Sequence, residues 1–154
     1  MATRPTILLV DDDPNNEELA RIALQHTHVP HTLCVSHDGR EALDWLFTRG
    51  MFAARDPSVL PRLILLDLKL PRMNGLEVLA EIRRHPVTKL LPVVVFTSSL
   101  EEKDLSDSYR LGANGYVRKP VDFTEYKKLV AEVGTFWLRH NQTVIHRPHA
   151  ETVT

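Results

Sequence analysis

Two stretches of this 154-residue chain, Leu63-Ile64-Leu65-Leu66 and Val93-Val94-Val95-Phe96, are apolar at every position. Runs of that length and uniformity fit strands covered on both faces. A strand buried on both sides needs layers above and below it, so these two runs restrict the chain to a layered α/β arrangement. Three further β-like segments surround them, and strands are predicted over 6–10, 31–36, 62–67, 93–98 and 115–118.

Segments with helical spacing lie between these strands. Pro14 can open the first, where Leu19, Ile22, Ala23 and His26 recur at three- and four-residue intervals. The second carries Ala42, Leu43, Leu46 and Phe47, and the third carries Leu76, Leu79 and Ile82 and stops ahead of His85-Pro86. A fourth, over 101–111, is mostly polar. The fifth starts after Asp122, a suitable N-cap, and runs through Tyr126, Val130, Val133 and Trp137. Strands alternating with helices predict a doubly wound parallel sheet with right-handed crossovers. Residues 48–61 form a longer connection than usual, either a functional insertion or a surface segment. Residues 1–140 are expected to form one domain, followed by a tail over 141–154.

Composition narrows the function. With 43% hydrophobic and 25% charged residues the chain has a globular make-up, and a net charge of −1 gives no broad attraction to nucleic acid or anionic lipid. No apolar run approaches the roughly 20 residues of a membrane span. Met1 to Thr6 show no basic leader, long apolar region or cleavage site, so secretion is not expected. Cys34 is the single cysteine and reads as a small buried hydrophobe, which suits a cytoplasmic location. His146 and His149 match no firm metal-ligand spacing.

In a doubly wound sheet, ligands bind where the C-terminal strand ends gather. Four such ends carry functional groups: Asp11, Asp12 and Asp13 after the first strand, Asp67 after the third, Thr97 and Ser98 after the fourth, and Lys119 after the fifth. Taken singly, each has a plainer reading, as turn formers, a helix cap or a surface lysine. Taken together, they place several carboxylates in one cleft, an arrangement that a hard divalent cation with oxygen ligands would stabilise. Lys119 and Thr97 can hold the oxygens of a phosphoryl group, and Asp67 then has the surroundings of a nucleophile.

These segments, Leu8 to Pro14, Leu65 to Gly75, Phe96-Thr97-Ser98 and Gly112 to Pro120, resemble the receiver domains of bacterial two-component response regulators over roughly residues 5 to 140. The resemblance implies a flavodoxin-like α/β fold: a five-stranded doubly wound parallel sheet in the order 2-1-3-4-5 with five helices. It implies that Asp67 accepts phosphate from a histidine kinase in a phosphorelay, that Mg²⁺ is held by Asp12, Asp67, the Lys69 carbonyl and, through water, Asp11, and that Thr97 and Lys119 assist. A cis bond between Lys119 and Pro120 is implied as well, as is a switch coupling Thr97 to Tyr116. The 48–61 segment and Phe136-Trp137-Leu138 look like the single-domain regulators that partner bacterial phytochrome kinases. Such a chain is not an enzyme beyond its own phosphorylation and dephosphorylation.

Output is then expected through protein contact. A homodimer is predicted through Tyr126, Val130, Val133 and Trp137, with Thr143-Val144-Ile145 reaching to the partner; the alternative is that Trp137 closes the bottom of the core. Two rival functions remain open from the residues. Asp11-Asp12-Asp13 also fits the Asp-x-Asp start of haloacid dehalogenase-type phosphatases, with Asp11 as nucleophile, and a receiver without chemistry could serve as a constitutive adaptor.

Overall fold

The fully apolar runs sit at the centre of the sheet in the computed structural model, which describes residues 4–144. Strands β1 (Thr6–Val10), β3 (Leu63–Leu66) and β4 (Val93–Thr97) are buried at every position, while the partly exposed β2 (Thr32–Ser36) and β5 (Gly115–Arg118) form the edges. Every pairing is parallel, in the order β2-β1-β3-β4-β5.

Five helices alternate with the strands: α1 (Pro14–Gln25), α2 (Gly39–Leu46), α3 (Gly75–Arg84), α4 (Glu102–Arg110) and α5 (Phe123–Thr135). Because successive strand residues face opposite sides, Leu8, Val10, Ile64 and Leu66 pack with α2 and α3, whereas Ile7, Leu9, Leu65, Val94 and Phe96 pack with α1 and α5. Full burial of each such side chain stabilises by about 1.5–3 kcal/mol, so the middle three strands hold much of the molecule together.

Four helices start on a side-chain cap. Asp13, Asp38, Asn74 and Asp122 each accept a hydrogen bond from an N–H in the first turn. Each of these caps lies in the connection that leaves the C-terminal end of a strand, so helix N-termini and strand C-termini share one edge of the sheet. At the far end, α3 stops at His85, whose extended backbone (φ −91°, ψ 128°) is the conformation that Pro86 favours.

Some expectations need correction. The strands are shorter, so His31, Arg62, Asp67 and Ser98 flank them. The buried side of α1 is Ala20, Ala23 and Leu24, with His26 exposed and its Nδ1 3.0 Å from the Ile22 carbonyl oxygen; adjacent apolar residues allow two helical phases, and the small alanines fit closest to the sheet. Cys34 is only half-buried, as befits an edge strand. No cis peptide bond occurs among the described residues, so Lys119–Pro120 is trans, the form that even prolyl bonds favour by about 0.5–1 kcal/mol. Tyr126 (3% exposed) and Val130 (1%) belong to the core and offer no area to a second copy, because the side of α5 that carries them already packs against α1 and the sheet. Val133 and Trp137 are half-buried and pack at the margin of the same core. Ile145, His146, His149 and the rest of the tail beyond Val144 lie outside the described residues.

The long connection after α2 contains a 3-10 turn, Gly50–Phe52, and is tied down by Arg55. The guanidinium lies 3.8 Å from the Trp45 ring centroid and donates to the carbonyls of Trp45 (3.0 Å), Asp56 (3.2 Å) and Val59 (2.7 Å). Arg55→Ala is expected to lower stability by about 2 kcal/mol and to speed proteolysis within residues 48–61. A melting temperature and digestion rate equal to the parent's would show that Arg55 does not hold this segment.

Candidate functional site

The shared edge of strand ends and helix caps gathers the predicted acidic groups. Asp11 follows β1, where its N–H donates to Ser36 across the sheet (3.0 Å), and only 1% of it is exposed. Its Oδ1 accepts from the Asp13 N–H (2.9 Å), and its Oδ2 accepts from the Asn16 amide (3.3 Å) and Lys119 Nζ (2.7 Å). Asp67 follows β3, anchored by its N–H to the Val10 carbonyl (3.0 Å). Its Oδ1 accepts from the Lys69 N–H (3.2 Å) and its Oδ2 from Lys119 Nζ (2.7 Å).

Carboxylate oxygens of Asp11, Asp12 and Asp67 all lie within 4.8 Å of one another, with Asp12 exposed at the rim. Asp13 faces α1 as its cap and accepts from the Asn15 N–H (2.9 Å). Three carboxylates thus face one ammonium. Burial pushes the Asp11 carboxyl above the ordinary range, and the bond and charge of Lys119 only partly offset it. Burial alone would lower the Lys119 ammonium, but Asp67 and Asp11 outweigh it and hold it above the usual lysine value.

Lys119 is placed by its own N–H, which donates to the Thr97 carbonyl at the end of β4 (2.8 Å). Thr97 itself is fully buried, with Oγ1 accepting from the Ser99 N–H (3.3 Å), and it is the exposed Ser98 that lines the cleft. The cleft measures about 450 Å³ and also presents Asn16, Val121 and Tyr126. Tyr116 lies opposite Val95 in the β4–β5 register, two residues short of the Thr97 position, with its hydroxyl buried.

The structure therefore brings Asp11, Asp12, Asp67, Lys69 and Lys119 together, with Thr97 buried and joined to Lys119 through its backbone carbonyl. Asn16 and Tyr126 were not foreseen at the site. Asn16 sits in the first turn of α1, and its amide donates to Asp11 Oδ2, a contact that no spacing in the sequence announces. Tyr126 reaches the cleft from α5, stacks edge-on to Phe96 (centroids 5.3 Å apart) and donates to the Asn16 carbonyl (3.4 Å). Burial, followed by the Asp11 charge, pushes its phenol well above the ordinary range. Another hollow of about 350 Å³, at the opposite end of the sheet between Arg4, Arg62 and Val59, contains no such cluster of acidic groups.

Comparison with known proteins follows the same line. Residues 7–131 match the response regulator receiver domain family. The response regulator Rcp1 of Synechocystis sp. is 39% identical over 132 residues, spanning 86% of this chain and 88% of Rcp1. Its Mn²⁺-bound crystal structure superposes with a TM-score of 0.85 over 91% of this chain and 99% of that one, at 36% identity. The phosphorylated cyanobacterial phytochrome response regulator RcpA gives a TM-score of 0.86 at 37% identity, covering 92% and 99%. The bacteriophytochrome response regulator AtBRR is 42% identical, with a TM-score of 0.71 over 92% of this chain and all of that one (100%).

Proposed function

This chain belongs to the response regulator receiver family, and on that footing we propose that it accepts a phosphoryl group on Asp67 from a histidine kinase, with Mg²⁺ as cofactor. The observation that carries the proposal is the pair of 2.7 Å bonds from Lys119 Nζ to Asp11 and Asp67 beside an exposed third carboxylate. One ammonium leaves the cluster net negative and Asp11 destabilised by burial, a donor set that suits a hard divalent cation. Asp12, Asp67, the Lys69 carbonyl and Asp11 would hold it. When bound, Mg²⁺ neutralises the carboxylates and the phosphoryl oxygens, and so lowers the repulsion between them.

The remaining work falls to the chain's own groups. A carboxylate oxygen of Asp67 forms the new bond to phosphorus while the bond from phosphorus to the donor's histidine nitrogen breaks, and the imidazole leaves with the electron pair. The Val10 carbonyl on its N–H and the Lys69 N–H on Oδ1 limit how far Asp67 can turn, which reduces the ordering that an in-line attack requires. Lys119 can pass its hydrogen bond from Asp67 to a phosphoryl oxygen, and Thr97 can offer its hydroxyl to another. Thr97 reaches that oxygen only by turning upward out of the buried position it holds. That movement links the chemistry to Tyr116. The reaction phosphorylates the protein itself and turns over no separate substrate.

Similarity to proteins named as phytochrome response regulators supports a bacterial phytochrome kinase as the donor. Output passes by protein contact, and Phe136 (50% exposed) beside the half-buried Trp137, in the helical turn that follows α5, gives an apolar area for a second copy. With acetyl phosphate and Mg²⁺, the parent protein is expected to take up label and Asp67→Asn to take up none. Label retained by Asp67→Asn would transfer the role to another carboxylate, with Asp11 the first candidate.

A further inference from the structure

The hydrogen bonding around Tyr116 is incomplete at one atom and unusually close at its neighbours. The Tyr116 hydroxyl is buried without a hydrogen-bond partner. Ser99, 2% exposed, instead donates its hydroxyl to Asp104 Oδ2 at 2.5 Å and accepts from the Glu101 N–H at 3.2 Å. Its own N–H donates to Thr97 Oγ1. Burial pushes the phenol up, the Ser99 hydroxyl draws it down by an approach that falls short of hydrogen-bond geometry, and the Asp104 charge raises it again.

We propose that Asp104 is a positioning residue for Tyr116, and that Ser99 and Tyr116 compete for its carboxylate. The inference rests on Asp67 being the phosphoacceptor. While Ser99 occupies Asp104, the inward Tyr116 hydroxyl stays unpaired, which is costly for a buried donor. Once Thr97 turns towards a phosphoryl group, the Ser99 N–H loses its acceptor and Ser99 loosens. Asp104 then accepts from Tyr116, and a short hydroxyl–carboxylate bond holds the ring inward. The exchange supplies the difference in affinity between two states that a shift in population requires. Capping of α4 alone accounts for the Ser99 bonds to Glu101 and Asp104, yet it gives no reason for an unpaired buried hydroxyl beside them.

Affinity for beryllofluoride in the presence of Mg²⁺, measured by calorimetry on the full chain, tests the exchange. Ser99→Ala frees Asp104 and is expected to tighten binding about two- to tenfold, the range one net hydrogen bond covers. Asp104→Ala removes the acceptor and is expected to weaken binding by a similar factor. Ser99→Thr keeps the hydroxyl and should restore parental affinity. In a Tyr116→Phe background, Ser99→Ala should change nothing. An equal effect of Ser99→Ala with and without the Tyr116 hydroxyl, or altered melting temperatures with unchanged affinity, overturns the exchange and leaves a simple helix cap. Absence of beryllofluoride binding to the parent protein overturns the Asp67 reading, and the exchange with it.

Discussion

Gly75→Ala is expected to destabilise the protein by about 3 kcal/mol or more and to slow phosphoryl uptake about a hundredfold. Gly75 is the first residue of α3, capped by Asn74, and it is buried against the backbone of Asp67 itself. A Cβ at this position would overlap the Asp67 carbonyl oxygen and lie 2.7 Å from Leu68 Cα, while the Gly75 N–H is held by the Leu68 carbonyl at 2.9 Å. Neither side of that contact is a flexible side chain, so the added methyl must displace either the helix or the acceptor's own main chain. Gly115→Ala is the control, since a Cβ there would meet Val94 at an ordinary 3.7 Å. Urea unfolding and acetyl phosphate labelling of both variants separate the outcomes. Parental behaviour of Gly75→Ala would mean that α3 does not fix the position of Asp67.

Lys119→Met should have the second large effect. Its ammonium bridges two buried carboxylates, with 9% exposure on its own side chain, 1% on Asp11 and 9% on Asp67, so solvent screens these bonds little. Removing one partner of such a pair leaves uncompensated buried charge and costs about 3–5 kcal/mol. Unfolding in chelator should therefore show a loss of that order for Lys119→Met. Because a divalent cation can take over the compensation, adding Mg²⁺ should return a large part of the lost stability, and a larger increment than it gives the parent protein. Equal stability of variant and parent in chelator would show that the carboxylates do not depend on Lys119.

Most of the fold could be read in the sequence because its determinants are local. Fully apolar runs identify β3 and β4, and Pro14 and Asp122 mark helix starts at the edge where the strands end. That shared edge is also why Asp11, Asp67 and Lys119, far apart in the chain, could be expected together. Helical periodicity finds an apolar side but does not say what covers it. Tyr126 and Val130 repeat at the spacing of an interface, yet α1 and the sheet bury them. The same limit shifts α1 by a residue, since Leu19, Ile22, Ala23 and Leu24 satisfy more than one phase. Asn16 is one polar residue among several in its helical turn, and only the hydrogen bond from its amide to Asp11 singles it out. The Ser99–Asp104 bond and the unpaired Tyr116 hydroxyl depend on where α4 lies against β5, which spacing alone does not specify.

Chemical trapping can locate the phosphoryl group on Asp67. After reaction with acetyl phosphate and Mg²⁺, borohydride reduces an aspartyl phosphate to homoserine, and peptide mass mapping then locates the changed residue. Homoserine is expected at position 67, with unmodified aspartate at positions 11, 12 and 13. Homoserine at position 11, with Asp67 intact, would contradict it.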